Sequence, residues 1–122
     1  MGNPKFLTDK EKKAIKRFSS EAKEKLGKEL LLIKLFGSKV RGDFDKDSDI
    51  DILIVVKKDY FINKEKIFDI LFSIDPYYEV KISPVIYSEY EYKKNKELES
   101  PFVEIVKREG INLWKRIYLN ID

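Results

Sequence analysis

The sequence predicts an α/β (α+β) domain with a small central sheet and helices packed against it. Three observations lead there. Two short apolar runs, Leu30–Phe36 and Asp49–Val56, are bounded by Gly or polar residues and read as buried strands. Ahead of them Ile15, Phe18, Ala22 and Leu26 recur at helical spacing. The remaining segments continue the alternation, giving the order helix, strand, strand, helix, strand, helix, helix.

Each element carries its own signal. Thr8 and Glu11 form a capping-box pattern ahead of the first helix, and Gly27 is placed to end it. Leu30–Phe36 follows as the first strand, then a polar turn from Gly37 to Ser48, then the second strand. Asn63 is a candidate cap for a helix presenting Ile67, Phe68, Ile70, Leu71 and Ile74. A third strand fits Glu79 to Tyr87, where Pro84 argues for an edge position or a bulge. Ser88 with Glu91 reads as a second capping box. Ser100-Pro101 opens a short helix ending at Gly110, and Ile111 to Trp114 fits a last strand. No repeat or low-complexity linker interrupts the chain, so residues 1–122 read as one domain.

Composition narrows the chemistry. There is no Cys, which excludes disulfide scaffolds, thiolate zinc sites and Cys nucleophiles. There is no His, so the commonest general base and transition-metal ligand are also missing. Carboxylates, hydroxyls, Lys, Arg and backbone amides remain, and oxygen ligands of that kind suit hard cations such as Mg²⁺. The net charge is only +3, a weak basic bias that gives no reason to expect a nucleic-acid partner. No apolar run approaches the roughly 20 residues of a membrane span and no signal-peptide core is present, so the expected location is cytoplasmic.

The informative stretch runs from Phe36 to Val56. Residues two apart on a strand share a face, so Asp49 and Asp51 set two carboxylates side by side. In an apolar strand such a pair is repelled and desolvated, and a divalent cation removes that penalty. Gly37-Ser38, directly after the first strand, lets backbone approach a ligand and offers an amide and a hydroxyl to phosphate oxygens. Arg41 can clamp a phosphate through its planar fork. Taken singly, Gly37-Ser38 reads as a turn and Arg41 as a solvated side chain. Asp43, Asp45 and Asp47 are best read as a solvated loop. Asp49 and Asp51 differ because they alternate with Ile50 and Ile52 and run into Leu53–Val56. An EF-hand counted from Asp43 fails, since Ser48 occupies the Gly position and Ile54 the bidentate Glu position. A Walker A loop fails because Asp43, not Lys, follows Gly42.

Together, Gly37-Ser38, Arg41-Gly42 and Ser48-Asp49-Ile50-Asp51 resemble the signature of the DNA polymerase β-like nucleotidyltransferase superfamily, and most closely its minimal nucleotidyltransferases. The resemblance implies a mixed sheet with flanking helices. It implies ATP or another NTP bound by Gly37, Ser38, Arg41 and Ser48, with Mg²⁺ on Asp49 and Asp51. It also implies a third carboxylate, on a later strand, that completes the metal site and serves as base. The segment Tyr78–Tyr87 contains no Asp; Glu79 is its only acid and the candidate for both roles, with Lys81 two residues along.

By the same resemblance the chain is an AMP transferase acting as antitoxin on a HEPN-type protein partner. The alternative is a catalytically weak antitoxin or subunit that acts by binding. The acceptor hydroxyl stays open among a protein Tyr or Ser, a small molecule and an RNA end, the last ranking lowest on charge. Tyr87, Tyr90 and Tyr92, with Phe102 and Trp114, are candidates for an exposed partner patch, although core packing is the favoured reading of scattered aromatics.

Overall fold

In the computed structural model, residues 5–45, 48–58 and 60–117 are described. Asp47, one of the acids read as a solvated loop, lies outside them. Four strands form one sheet: β1 (Leu30–Phe36), β2 (Ile50–Val56), β3 (Ile82–Ser88) and β4 (Ile111–Lys115), in the order β3-β2-β1-β4. β1 runs antiparallel to β2 and β4, while β2 and β3 are parallel, so the sheet is mixed. The parallel pair needs a crossover, and α3 (Tyr60–Tyr78) supplies it. The other helices are α1 (Asp9–Leu26), the single turn α2 (Ser38–Arg41), α4 (Glu89–Glu97) and α5 (Pro101–Glu109).

The core has two layers because strand side chains alternate faces. Ile50, Ile52, Ile54 and Val56 join Phe18 of α1 and Ile67, Ile70 and Ile74 of α3. Leu53 and Val55 pack on the other face with Tyr92 of α4 and Val103 and Val106 of α5. β1 and β2 are covered on both sides, which is why each reads as a nearly unbroken apolar run. Asp51 shares the parity of Leu53 and Val55 and therefore belongs to the α4/α5 face.

Both capping boxes are those the sequence signals. The Thr8 hydroxyl accepts from Glu11 N at 3.2 Å while the Glu11 carboxylate accepts from Thr8 N at 2.9 Å. Ser88 and Glu91 repeat the pattern at 3.1 and 2.9 Å. Pro84 sits on β3, an edge strand, opposite Ile52.

Three elements differ from expectation. α3 begins at Tyr60, and Asn63 lies inside it at 1% exposure. Its amide donates to the Lys58 carbonyl and to Glu29 Oε1 at 3.3 Å, so it pins the preceding loop from within the helix and is not a cap. β3 begins at Ile82, not Glu79, because α3 continues to Tyr78 and closes through Glu79. Glu79 takes a left-handed φ of 56°, and Val80 N donates back to the Asp75 carbonyl at 3.1 Å. The polar turn holds the one-turn helix α2 between Gly37 and Gly42. The aromatics form no single patch. Tyr92 is fully buried, Tyr87 and Phe102 pack beside it on one layer, and Trp114 packs on the opposite one.

Candidate active site

Asp49 precedes β2 and Asp51 is its second residue. Antiparallel pairing sets Asp51 opposite Phe36, the last residue of β1, and so beside the Gly37-Ser38 turn. Gly37 holds φ at 85°, and a Cβ there would overlap the Asp51 carboxylate. The turn thus needs glycine twice, for its backbone and for the carboxylate it accommodates. Burial, and then the charge of Asp49, push the Asp51 carboxyl above the ordinary range, while Arg41 pulls the other way. Asp49 is one-third exposed, and Lys81 Nζ stands 3.8 Å from its Oδ1.

Ser38 opens α2, with Gly37 at its N-cap. Arg41 closes the same turn, and its guanidinium contacts Asp43 Oδ2 at 3.0 Å and Glu109 Oε1 at 2.8 Å. A phosphate taken by Arg41 therefore exchanges with carboxylates that hold it in the free protein. Lys39, between them, is buried: its ammonium meets Glu11 Oε2 at 2.9 Å and lies 4.2 Å from the centre of the Phe44 ring. This ion pair ties α2 to the first turn of α1. Sequence reading missed it, because the signal that marks Glu11 is its capping box and nothing local marks its second partner. Ser48 folds back to the loop, where its hydroxyl accepts from Asp45 N at 3.0 Å.

The third acidic candidate is placed differently. Glu79 is largely exposed and bonds Lys10 Nζ at 3.1 Å. With Ser48 and Lys81 it lines an open cleft of about 530 Å³ between α1 and the start of β3. Across from Asp51 in register on β3 stands Ser83. Among the described residues no group of three or more His, Cys, Asp or Glu is placed to hold a metal ion. Two carboxylates, one of them seated where a Cβ on Gly37 would stand, are nevertheless hard oxygen donors of the kind that suit a divalent metal ion.

This arrangement has relatives. A sequence description of the nucleotidyltransferase domain matches residues 15–113. The chain belongs to that nucleotidyltransferase family. A Methanocaldococcus jannaschii relative, described as a "putative protein adenylyltransferase", is 34% identical over 100 residues, covering 81% of this nucleotidyltransferase and 94% of the relative. A spectinomycin adenyltransferase from Enterococcus faecialis, solved with ATP and spectinomycin, shares the fold at a TM-score of 0.61 and 17% identity, over 90% of this chain and 57% of that one. A toxin–antitoxin structure with AMP-PNP matches at a TM-score of 0.50 and 20% identity, over 81% and 72% of the two chains. Among the described residues of the nucleotidyltransferase, no helix is long and apolar enough to cross a membrane.

Proposed function

We propose that this nucleotidyltransferase is a Mg²⁺-dependent adenylyltransferase that moves AMP from ATP to a hydroxyl on a protein partner, and that it acts as the antitoxin of a HEPN-type toxin. The observation that carries the reading is the Asp51 carboxylate seated on the Gly37-Ser38 turn, with Asp49 beside it. That contact supports reading the pair as metal ligands beside a phosphate cradle. The name of the archaeal relative supports AMP and a protein acceptor, and the toxin–antitoxin neighbour supports the partnership.

In this reading Ser38 and the amides at the start of α2 orient the phosphates, and Arg41 leaves Glu109 to clamp them. Asp49 and Asp51 would hold Mg²⁺, which when bound would supply charge neutralisation at the transferred phosphorus group. The acceptor oxygen bonds to the α-phosphorus in line, the bond to the bridging oxygen breaks, and pyrophosphate leaves. The hydroxyl proton passes to a carboxylate of the pair. Asp49 is one-third exposed, so an acceptor presented by a partner surface can approach the pair and be held in place there.

A second reading has its own support. Glu79 is turned toward Lys10, and β3 sets Ser83, not an acid, opposite Asp51, which favours a slow or binding-only antitoxin. Co-expression with the neighbouring gene product separates the two. AMP on a partner Tyr or Ser by mass spectrometry is expected, and is lost with Asp49→Asn/Asp51→Asn. A tight complex without AMP selects binding alone, and transfer to a free small molecule without any complex refutes the partner assignment.

A further inference from the structure

Asp75 lies half-buried near the end of α3, and its carboxyl is poorly served there. Oδ1 is buried and meets no hydrogen-bond partner among the described residues. Burial raises the carboxyl above its ordinary range, the Ile82 amide draws it back, and the charge of Asp49 raises it again. An acid so placed costs stability, since a buried polar atom is left unpaired. The bond that its other oxygen makes is therefore the informative one.

Oδ2 accepts that bond from Ile82 N, at the start of β3, at 3.4 Å. The carbonyl of the same peptide, on Lys81, accepts from Ile50 N at 2.9 Å. A planar trans peptide points its N–H and C=O in opposite directions, so this unit is gripped by α3 on one side and by β2 on the other. Ile50 is the residue between Asp49 and Asp51, and it pairs in register with Ile82. The main-chain carbonyl of Asp75 also accepts from Val80 N at 3.1 Å, so one residue holds two amides of the link from α3 to β3.

We infer that Asp75 is a positioning residue: it sets the Lys81–Ile82 peptide, and through it the strand position from which Asp49 and Asp51 project. The inference rests on the reading of Asp49 and Asp51 as metal ligands. Ligating carboxylates need outer partners to fix their place. Asp51 has the Gly37 turn against it, whereas Asp49 precedes the strand and is one-third exposed. The bond at Ile50 is the first that ties this segment to β3, and Asp75 anchors the peptide that accepts it.

The test compares Asp75→Ala with Asp75→Asn, whose amide oxygen can still accept from Ile82 N. Amide hydrogen exchange reads the relay. In Asp75→Ala, Ile82 and Ile50 are expected to exchange about fivefold faster, with Ile54 in mid-strand at the wild-type rate. Mn²⁺ titrated with a non-hydrolysable ATP analogue, and followed by electron paramagnetic resonance, reads the consequence. Its affinity is expected to fall about tenfold in Asp75→Ala, while the analogue alone binds as to wild type. Asp75→Asn should restore both readings. Acceleration confined to Ile82, or an unchanged Mn²⁺ affinity, overturns the inference. So does an Asp75→Asn that behaves like Asp75→Ala, since the charge and not the accepted bond would then matter. Faster exchange shared by Ile54 marks general loosening and overturns it too. Mn²⁺ binding that survives Asp49→Asn/Asp51→Asn overturns the metal-site assignment, and the exchange rates tell that failure from a failure of the Asp75 relay.

Discussion

Asp51 shows how one side chain links stability to function. Its carboxyl lies above the ordinary range because burial, then Asp49, disfavour the charge. The folded state therefore binds more protons than the unfolded chain between the two pKa values, and stability falls as pH rises through that window. Asp51→Asn removes the fall. The variant, without metal, is expected to be more stable than wild type at pH 7 by about 1 kcal/mol, or roughly 4 °C in melting temperature, with the advantage vanishing at acid pH. Melting curves at several pH values check it, and a variant less stable at pH 7 contradicts it. The neighbouring side chains act on the ligand. Arg41→Ala should weaken ATP binding by about tenfold or more, and Ser38→Ala by less than tenfold. Both should leave the melting temperature nearly unchanged, since the ion pairs of Arg41 are half-exposed. Calorimetric affinities equal to wild type in both would return the loop to an ordinary turn.

At the scale of elements, the short helix α2 is held in place by contacts that come from far along the chain. Glu11 closes the capping box of α1 with one carboxylate oxygen and receives the buried Lys39 ammonium with the other. Thr8→Ala removes only the cap and should cost about 1 kcal/mol. Glu11→Ala also strands a buried ammonium and should cost about 3 kcal/mol or more. Denaturant unfolding of the two variants tests the ranking, and a cap loss larger than the Glu11 loss would contradict it. Gly37→Ala belongs to the same scale. A side chain at a φ of 85° is strained, and its Cβ overlaps Asp51. A loss of about 2–3 kcal/mol is expected, together with loss of the Mg²⁺–ATP stabilisation, because the carboxylate must move off the turn.

For the whole molecule, ligand linkage is the broadest test. Mg²⁺–ATP at 100 times its dissociation constant should stabilise the protein by about 2.7 kcal/mol, since only the folded chain brings Ser38, Arg41, Asp49 and Asp51 together. The double variant Asp49→Asn/Asp51→Asn should show little of that shift, and an equal shift in both proteins would contradict the site. The sheet explains the dependence. β1 ends at the Gly37 turn, β2 begins with the carboxylates, and their antiparallel register sets Phe36 against Asp51. The candidate nucleotide and metal ligands meet because two strand ends do.

The sequence by itself determined the parts of this protein whose causes are local. Short bounded apolar runs placed β1 and β2, capping patterns placed both capping boxes, and the missing amide hydrogen of Pro84 limited β3 to an edge or a bulge, of which the sheet shows the edge. The spacing of Asp49 and Asp51 put the pair on one short segment, because a strand repeats every two residues. Tertiary structure decided what depends on where another element stops. Glu79 read as a strand acid, yet α3 runs on to Tyr78 and uses Glu79 at its left-handed end, an outcome set by the packing of α3 against the sheet and not by any neighbour in sequence. Asn63 turned inward for the same reason, reaching Glu29 across the loop. Ser83 and Lys81 acquired their places only when β3 paired with β2, since register is a property of two strands and neither strand alone encodes it.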